Sequence, residues 1–402
     1  RKVWIGHGLS ANGRWMHLVA SGWLVWELTG STAMLGLNAF AHTFPTVIFS
    51  LIAGAIADRV GYLRVVRSFF AVMSILATLF ALLTFSGLIN IQILITLSAL
   101  LGSAQALATP GQVSLVNQLV PEKDLAPAIA LNSATFNLSR FMGPAIAGFV
   151  ILWFNIATVM GLYAITLFAF SAILATVRTP DSPAPKGHSS GLLSDLAESF
   201  RYAFANKAVL FILAMLFTTG LFIRPYIDLL PGFAAQVFGR GPEGLSVLMS
   251  FTGLGAMSAA LWLARRGRTK GLTRIVALSL LGSGTALLAF VLTDLLAVGA
   301  LIIVFTGFFV IAATISTQTL IQSAVEPRIR ARVIGLFILL SWGSPALGAL
   351  VMGWASAFLG LGPVVGAGAV LTLVAWAIAR PWIGKMEQVL EVPSGGNSGL
   401  HK

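Results

Sequence analysis

Apolar residues run along this chain in long blocks separated by short polar breaks, from Leu9 to Ile378. An α-helix rises 1.5 Å per residue and needs roughly 20 apolar residues to cross a bilayer core. That requirement places helices at 9–28, 33–57, 65–85, 91–120, 125–151 and 156–177. A second set falls at 209–230, 244–264, 272–292, 295–324, 333–357 and 363–378. The pattern predicts an all-α membrane protein of twelve transmembrane helices in two six-helix bundles. The first block has no small-residue cleavage site behind a short apolar core, so it reads as a retained span and not a signal peptide.

Between the two sets, 178–191 is rich in Pro, Ser and Gly and reads as a linker. Behind it, Leu192, Leu193, Leu196, Phe200 and Phe204 fall at helical spacing opposite Asp195, Glu198 and Arg201. That is the pattern of a helix lying on a membrane surface, with a solvated linker helix as the alternative. The expected organisation is 1–177 as an N-terminal bundle, 178–207 as linker and amphipathic helix, 208–382 as a C-terminal bundle and 383–402 as a tail.

Composition sharpens this picture. With 57% hydrophobic and 9% charged residues, a chain of 402 residues lacks the polar groups to cover a water-soluble surface. It contains no Cys, which excludes disulfide scaffolds and thiolate chemistry, and its five scattered His do not form a metal-binding pattern. No HExxH, GxSxG, paired-acid or GxxxxGK[ST] pattern occurs, so neither an enzyme, a cofactor site nor nucleotide-driven transport is expected. The net charge of +12 comes from residues between apolar blocks and not from one helix face, which argues against nucleic acid. Of 25 Lys and Arg, Arg14, Arg140 and Arg224 lie inside helices and Arg240 in a loop on the opposite side. The others gather on the side of both termini, which the positive-inside rule makes cytoplasmic.

Shifting the chain by 206 residues brings Arg59 onto Arg265, Gly61 onto Gly267, Arg64 onto Lys270, Gln112 onto Gln318 and Pro121 onto Pro327. The second half echoes the first, except that Asp58 falls on Ala264. The stretch Gly54-Ala-Ile-Ala-Asp58-Arg59-Val-Gly61-Tyr-Leu-Arg64 resembles the GxxxDRxGxxR loop of the major facilitator superfamily. In that loop Gly54 permits close helix contact, Gly61 a turn closed to bulkier residues, and Asp58 and Arg59 an ion-pair network that closes the cytoplasmic face. Gly143-Pro144-Ala-Ile-Ala-Gly148 resembles the superfamily's antiporter motif of helix five, with Ala147 in place of one Gly. Gly143, Pro144 and Gly148 then suit a bent, closely packed helix, whether for coupling or for packing alone. Gly13-Arg-Trp15, 23–30, 132–137 and 224–233 give the chain a narrower likeness to macrolide-efflux and enterobactin exporters. The resemblance implies a pseudo-symmetric major facilitator fold in a bacterial inner membrane, with the substrate site between the halves.

Several interior groups are candidates for the transport path or for coupling. Arg140 lies mid-helix, where a charge costs roughly 2.5–3.5 kcal/mol, so it needs a partner, a cavity or a bound anion. His17 and His42 fall near the midplane and are read either as substrate or proton groups or as packing residues. Arg224 and Asp228 are four apart and can pair at an outer gate, and Glu27 is an acid near the membrane that the loop does not explain. The resemblance implies a secondary transporter in which these residues would act: a proton-coupled exporter, by antiport, of a hydrophobic or amphipathic small molecule. A lipid or lysolipid flippase on the same fold and a transport-inactive accessory subunit are the alternatives; oligomeric state is not legible.

Overall fold

The structure is a computed structural model that describes residues 2–177 and 192–391. The expected linker 178–191 and the last part of the tail lie outside the described residues. Sixteen α-helices follow one another, and no strand occurs among the described residues. The first seven are α1 (Lys2–Thr29), α2 (Thr32–Thr43), α3 (Pro45–Val60), α4 (Tyr62–Phe85), α5 (Ile91–Leu119), α6 (Leu125–Trp153) and α7 (Ile156–Thr176). Then come α8 (Leu192–Ala205), α9 (Lys207–Thr218), α10 (Tyr226–Gly232), α11 (Pro242–Arg266) and α12 (Leu272–Val291). The chain closes with α13 (Leu296–Ala324), α14 (Pro327–Leu359), α15 (Leu361–Ala379) and α16 (Ile383–Leu390).

Ten described helices are long and apolar enough to cross a membrane, and α2 with α3, taken as one bent span, makes an eleventh. The 28-residue α1 is long enough for a twelfth but less apolar. It carries His7, Ser10, Arg14, His17 and Ser21 at alternating spacings of three and four, a polar stripe along one face. Its ends and those of its neighbours are set by local chemistry. The side chains of Ser31, Asn90, Asn155 and Asn206 accept backbone N–H groups in the first turns of α2, α5, α7 and α9. Gly61, at φ 98°, makes the tight turn between α3 and α4 that a side chain would strain.

Two spans differ from the expectation of unbroken helices, and proline is the physical reason in each. Pro45 has no N–H to donate and opens α3, so the expected helix 33–57 is divided after Thr43. The expected helix 209–230 runs further and is interrupted by π-helical turns at Thr219–Ile223 and Phe233–Val237, next to Pro225 and Pro231.

The chain forms two compact units, one of residues 1–187 with 227–253, the other of 188–226 with 254–402. In the first, α1 packs on α6 and α7, α4 on α5 and α7, and α2 and α3 on α5. In the second, α12 packs on α13 and α15, and α14 on α15. Exposed Ile75, Leu82, Phe149, Trp153 and Phe168 in one unit, and Leu301, Val351, Trp354 and Phe358 in the other, present apolar surface suited to lipid. The helix α8 belongs to the second unit, where Glu198 pairs with Arg332 at 2.5 Å; Phe204 points outward, 66% exposed. The side chains of Leu192, Leu193, Asp195 and Leu196 lie outside the described residues.

Glycine sets the closest approaches. A Cβ on Gly102 of α5 would run into the His42 carbonyl of α2, and one on Gly255 of α11 would run into the Val304 carbonyl of α13. Neither neighbour is a movable side chain. Gly255→Val is therefore expected to destabilise the second unit by about 1–3 kcal/mol and lower the apparent melting midpoint of the detergent-purified protein by several degrees. Gly335→Ala, where an added Cβ meets nothing within 4 Å, should leave the midpoint unchanged or slightly raised.

Candidate functional site

In the first unit the interior polar groups gather where α1 meets α6. Asn12 Nδ2 donates to Ser139 Oγ at 2.8 Å and to the Gly8 carbonyl at 2.9 Å. Beside it the Arg140 guanidinium lies over the Trp15 ring, 5.2 Å from its centre, and Phe136 meets Trp15 edge-on at 6.1 Å. Arg140 is 8% exposed, and its interactions extend beyond this ring. The indole ring offers its negative face to the cation in a desolvated setting, where such contacts are strongest.

The helix-five motif builds this corner. A Cβ on Gly143 would lie 2.5 Å from Trp15 Cβ and 3.0 Å from the Asn12 carbonyl, so the missing side chain lets α1 rest directly on α6. Gly148 stands in the same relation to Ser246 Cβ of α11, at 2.5 Å. One turn before Gly143, a Cβ on Gly253 of α11 would reach the Arg140 carbonyl at 2.5 Å. The helix continues through Pro144 without a break.

His17 and His42 come together, their ring centres 6.4 Å apart. His17 is 2% exposed, stacked on Tyr163 at 4.6 Å, with Nδ1 3.2 Å from Met160 Sδ. His42 Nδ1 is 3.4 Å from the Ser98 carbonyl. These rings sit inside the helix packing, with α1, α2, α5 and α7 around them. Further along α1, His7 Nδ1 meets Gln112 Nε2 at 2.9 Å. Glu27 is exposed near the end of α1.

The signature loop is built from the end of α3, Gly61 and the start of α4. Asp58 accepts a hydrogen bond from Tyr62 Oη at 2.7 Å. Among the described residues, Asp58, Arg59 and Arg64 form no ion pair, and all three are exposed. A Cβ on Gly54 would meet nothing within 4 Å, so Gly54 makes no close helix contact here. Arg67 was not singled out from the sequence, yet it ties α4 to the end of α7 by donating to the carbonyls of Leu174 (2.7 Å), Ala175 (3.3 Å) and Val177. Its signal was a third Arg one helical turn beyond Arg64.

In the second unit, Arg224 Nη1 donates to the Ser341 carbonyl of α14 at 2.6 Å, just after the first π turn. Asp228, four residues on, falls in the first unit, and both residues are engaged. Tyr226 and Phe337 are core residues at 0% and 5% exposure. Neighbours the sequence did not single out, such as Asn12, Ser139, Tyr163 and Met160, are ordinary residues whose part depends on which helices adjoin.

Comparison with known proteins follows this geometry. The profile of the family described as transmembrane secretion effector matches residues 1–395. The staphyloferrin A transporter of Staphylococcus aureus is 24% identical over 342 residues, covering 85% of each chain. The multidrug efflux pump Tap of Mycolicibacterium fortuitum is 25% identical over 358 residues, again covering 85% of each. Among solved structures, a bacterial homologue of the human lysosomal transporter Spinster, inward-facing and unoccupied, superposes with a TM-score of 0.72 at 16% identity, covering 97% of this chain and 96% of that one. A mutant of the nucleoside transporter NupG gives 0.74 at 16% identity, over 96% and 98%. The chain thus has the major facilitator fold and belongs to the transmembrane secretion effector family of major facilitator transporters.

Proposed function

We propose that this protein exports a hydrophobic or amphipathic small molecule across a bacterial inner membrane, coupled to protons and with both termini in the cytoplasm. The cycle is alternating access of the two sequence halves, 1–177 and 208–382. The names of the relatives, a siderophore transporter and a multidrug efflux pump, support a substrate of this kind. The observation that carries the reading is Arg140: a charge in the body of a spanning helix, held over Trp15 beside the Asn12–Ser139 pair. So costly a group inside a membrane marks a functional site by default. With an indole face and a polar pair around it, Arg140 can receive an anionic or polar group of a molecule whose body is apolar. His17 and His42 are the proposed proton groups, with Glu27, Arg224 and Asp228 as further coupling or gating groups.

Reconstituted flux of amphipathic compounds, with and without a pH gradient, tests the class and the energy source together. Gradient-independent flux would remove the proton from the scheme. Arg140→Ala should lower transport by about tenfold or more while leaving membrane insertion intact. Arg140→Lys keeps the charge but not the planar donors and should retain part of the activity. Normal transport by a well-folded Arg140→Ala protein would remove Arg140 from the mechanism.

The signature loop gives a second test. If Asp58 exchanges Tyr62 for an arginine during the cycle, Asp58→Asn should shift the inward-to-outward ratio toward inward by about two- to fivefold. Accessibility labelling of single cysteines reads that ratio cleanly, because the chain has no native Cys. An unchanged ratio with unchanged transport would end the latch reading. For orientation, reporter fusions within 178–191 and 265–273 should both give cytoplasmic signals, since these segments lie on the side where the Lys and Arg gather and hold six of the 25 themselves.

A further inference from the structure

The repeat leaves Ala264 where the first loop has Asp58, yet a carboxylate still reaches the second loop, from the far end of the described chain. Glu391 Oε2 accepts the backbone N–H of Gly271 at 2.5 Å, and Oε1 accepts that of Thr273 at 2.9 Å. These amides stand at the start of α12, whose N-cap Gly271, at φ 83°, has no side chain to cap with. Orphan amides and the positive end of the helix dipole make that position a natural place for a carboxylate. One turn earlier on α16, Glu387 pairs at 2.7 Å with Arg274, in the first turn of α12.

The helix α16 is anchored well enough to act on this loop. Leu390 is 2% exposed, and it packs with Ile383 and Met386 into the core shared by α9, α12, α13 and α14. On the loop itself, Arg266 donates to the carbonyls of Arg268 and Lys270. Two carboxylates from the end of the described chain thus hold Gly271, Thr273 and Arg274, while Arg266 braces the loop from within.

We propose that Glu387 and Glu391 are positioning residues of the transport cycle: they supply from α16 the acid that the second copy of the gating loop lacks. The proposal rests on the transport reading. It makes the two loops unequal. Asp58 sits on an exposed helix end, where it can change partners, whereas the second loop is held in place by a buried anchor and keeps its shape as the halves move.

A nitroxide label on Arg268→Cys in the otherwise Cys-less full-length protein tests this directly. In Glu391→Gln the amide keeps one acceptor oxygen but turns N–H groups toward the second backbone amide. Label mobility should therefore rise, and turnover should fall about two- to fivefold with substrate KM unchanged. Glu391→Asp should restore part of both. The charge swap Arg274→Glu with Glu387→Arg should restore the order lost in Glu387→Ala, which separates a lost contact from a damaged fold. If the label is as restricted in a Glu387→Gln, Glu391→Gln double variant as in the parent, the clamp does not hold the loop and the proposal is overturned. A released loop with unchanged turnover overturns the positioning role and leaves the transport reading standing. Absence of flux in the parent protein would count against that reading instead, with the label still deciding the clamp.

Discussion

Helices in lipid gain nothing by hiding apolar surface from one another, because the acyl chains around them are equally apolar. What holds such helices together is close backbone packing and a small number of polar contacts. In this chain the first requirement is met by glycines set against carbonyl groups: Gly102 against His42, Gly255 against Val304, Gly253 against Arg140 and Gly368 against Phe222. The site depends on the same device. Gly143 brings α1 onto α6 and Gly253 brings α11 onto the backbone of Arg140 itself, so the guanidinium sits on a residue fixed from two sides. Its place over Trp15 is a consequence of backbone packing and not of loop geometry.

The second requirement explains why α1 is the least typical of the spans. Its polar stripe lowers its apolarity; Ser10 and Ser21 turn back to carbonyls of α1 itself, while the two His of the stripe meet neighbouring helices. His7 is met by Gln112 and His17 by Tyr163 and Met160; off the stripe, Asn12 is met by Ser139. A helix with such a stripe is stable only when α5, α6 and α7 already surround it. The polar residues of α1 thus help specify which helices it must touch.

Much of this was legible in the sequence for a simple reason: lipid imposes a length and an apolarity on each span, and both are properties of consecutive residues. The spans, the loop charges and the signature motif are of that kind, and the structure reproduces the spans apart from the breaks at Pro45, Pro225 and Pro231. What was not legible depends on contact between segments far apart in the chain. Asp58 accepting from Tyr62 at four residues' distance is local, yet the motif pointed to an arginine and not to this hydroxyl. Arg67 reaching the end of α7, and Glu391 reaching α12 across 118 to 120 residues, leave no periodic trace in the sequence. The stripe on α1 could be read from its spacing, though not which helix would face it.

The two halves show which features of a duplicated fold are free to drift. In both, spans two and four of the half approach through a glycine, yet it is Gly102 on the fourth span in one half and Gly255 on the second span in the other. Either choice satisfies the geometry, because close approach needs one missing Cβ and is indifferent to which helix lacks it. The loops are less tolerant. A helix that starts at Gly271 has N-terminal amides and a dipole that favour a carboxylate, and its N-cap has no side chain to supply one. Here an acceptor comes from the end of the short helix that follows the last span. The consequence is mechanical. On the proposed cycle, a second loop held by its own unit would leave the change of partners to Asp58.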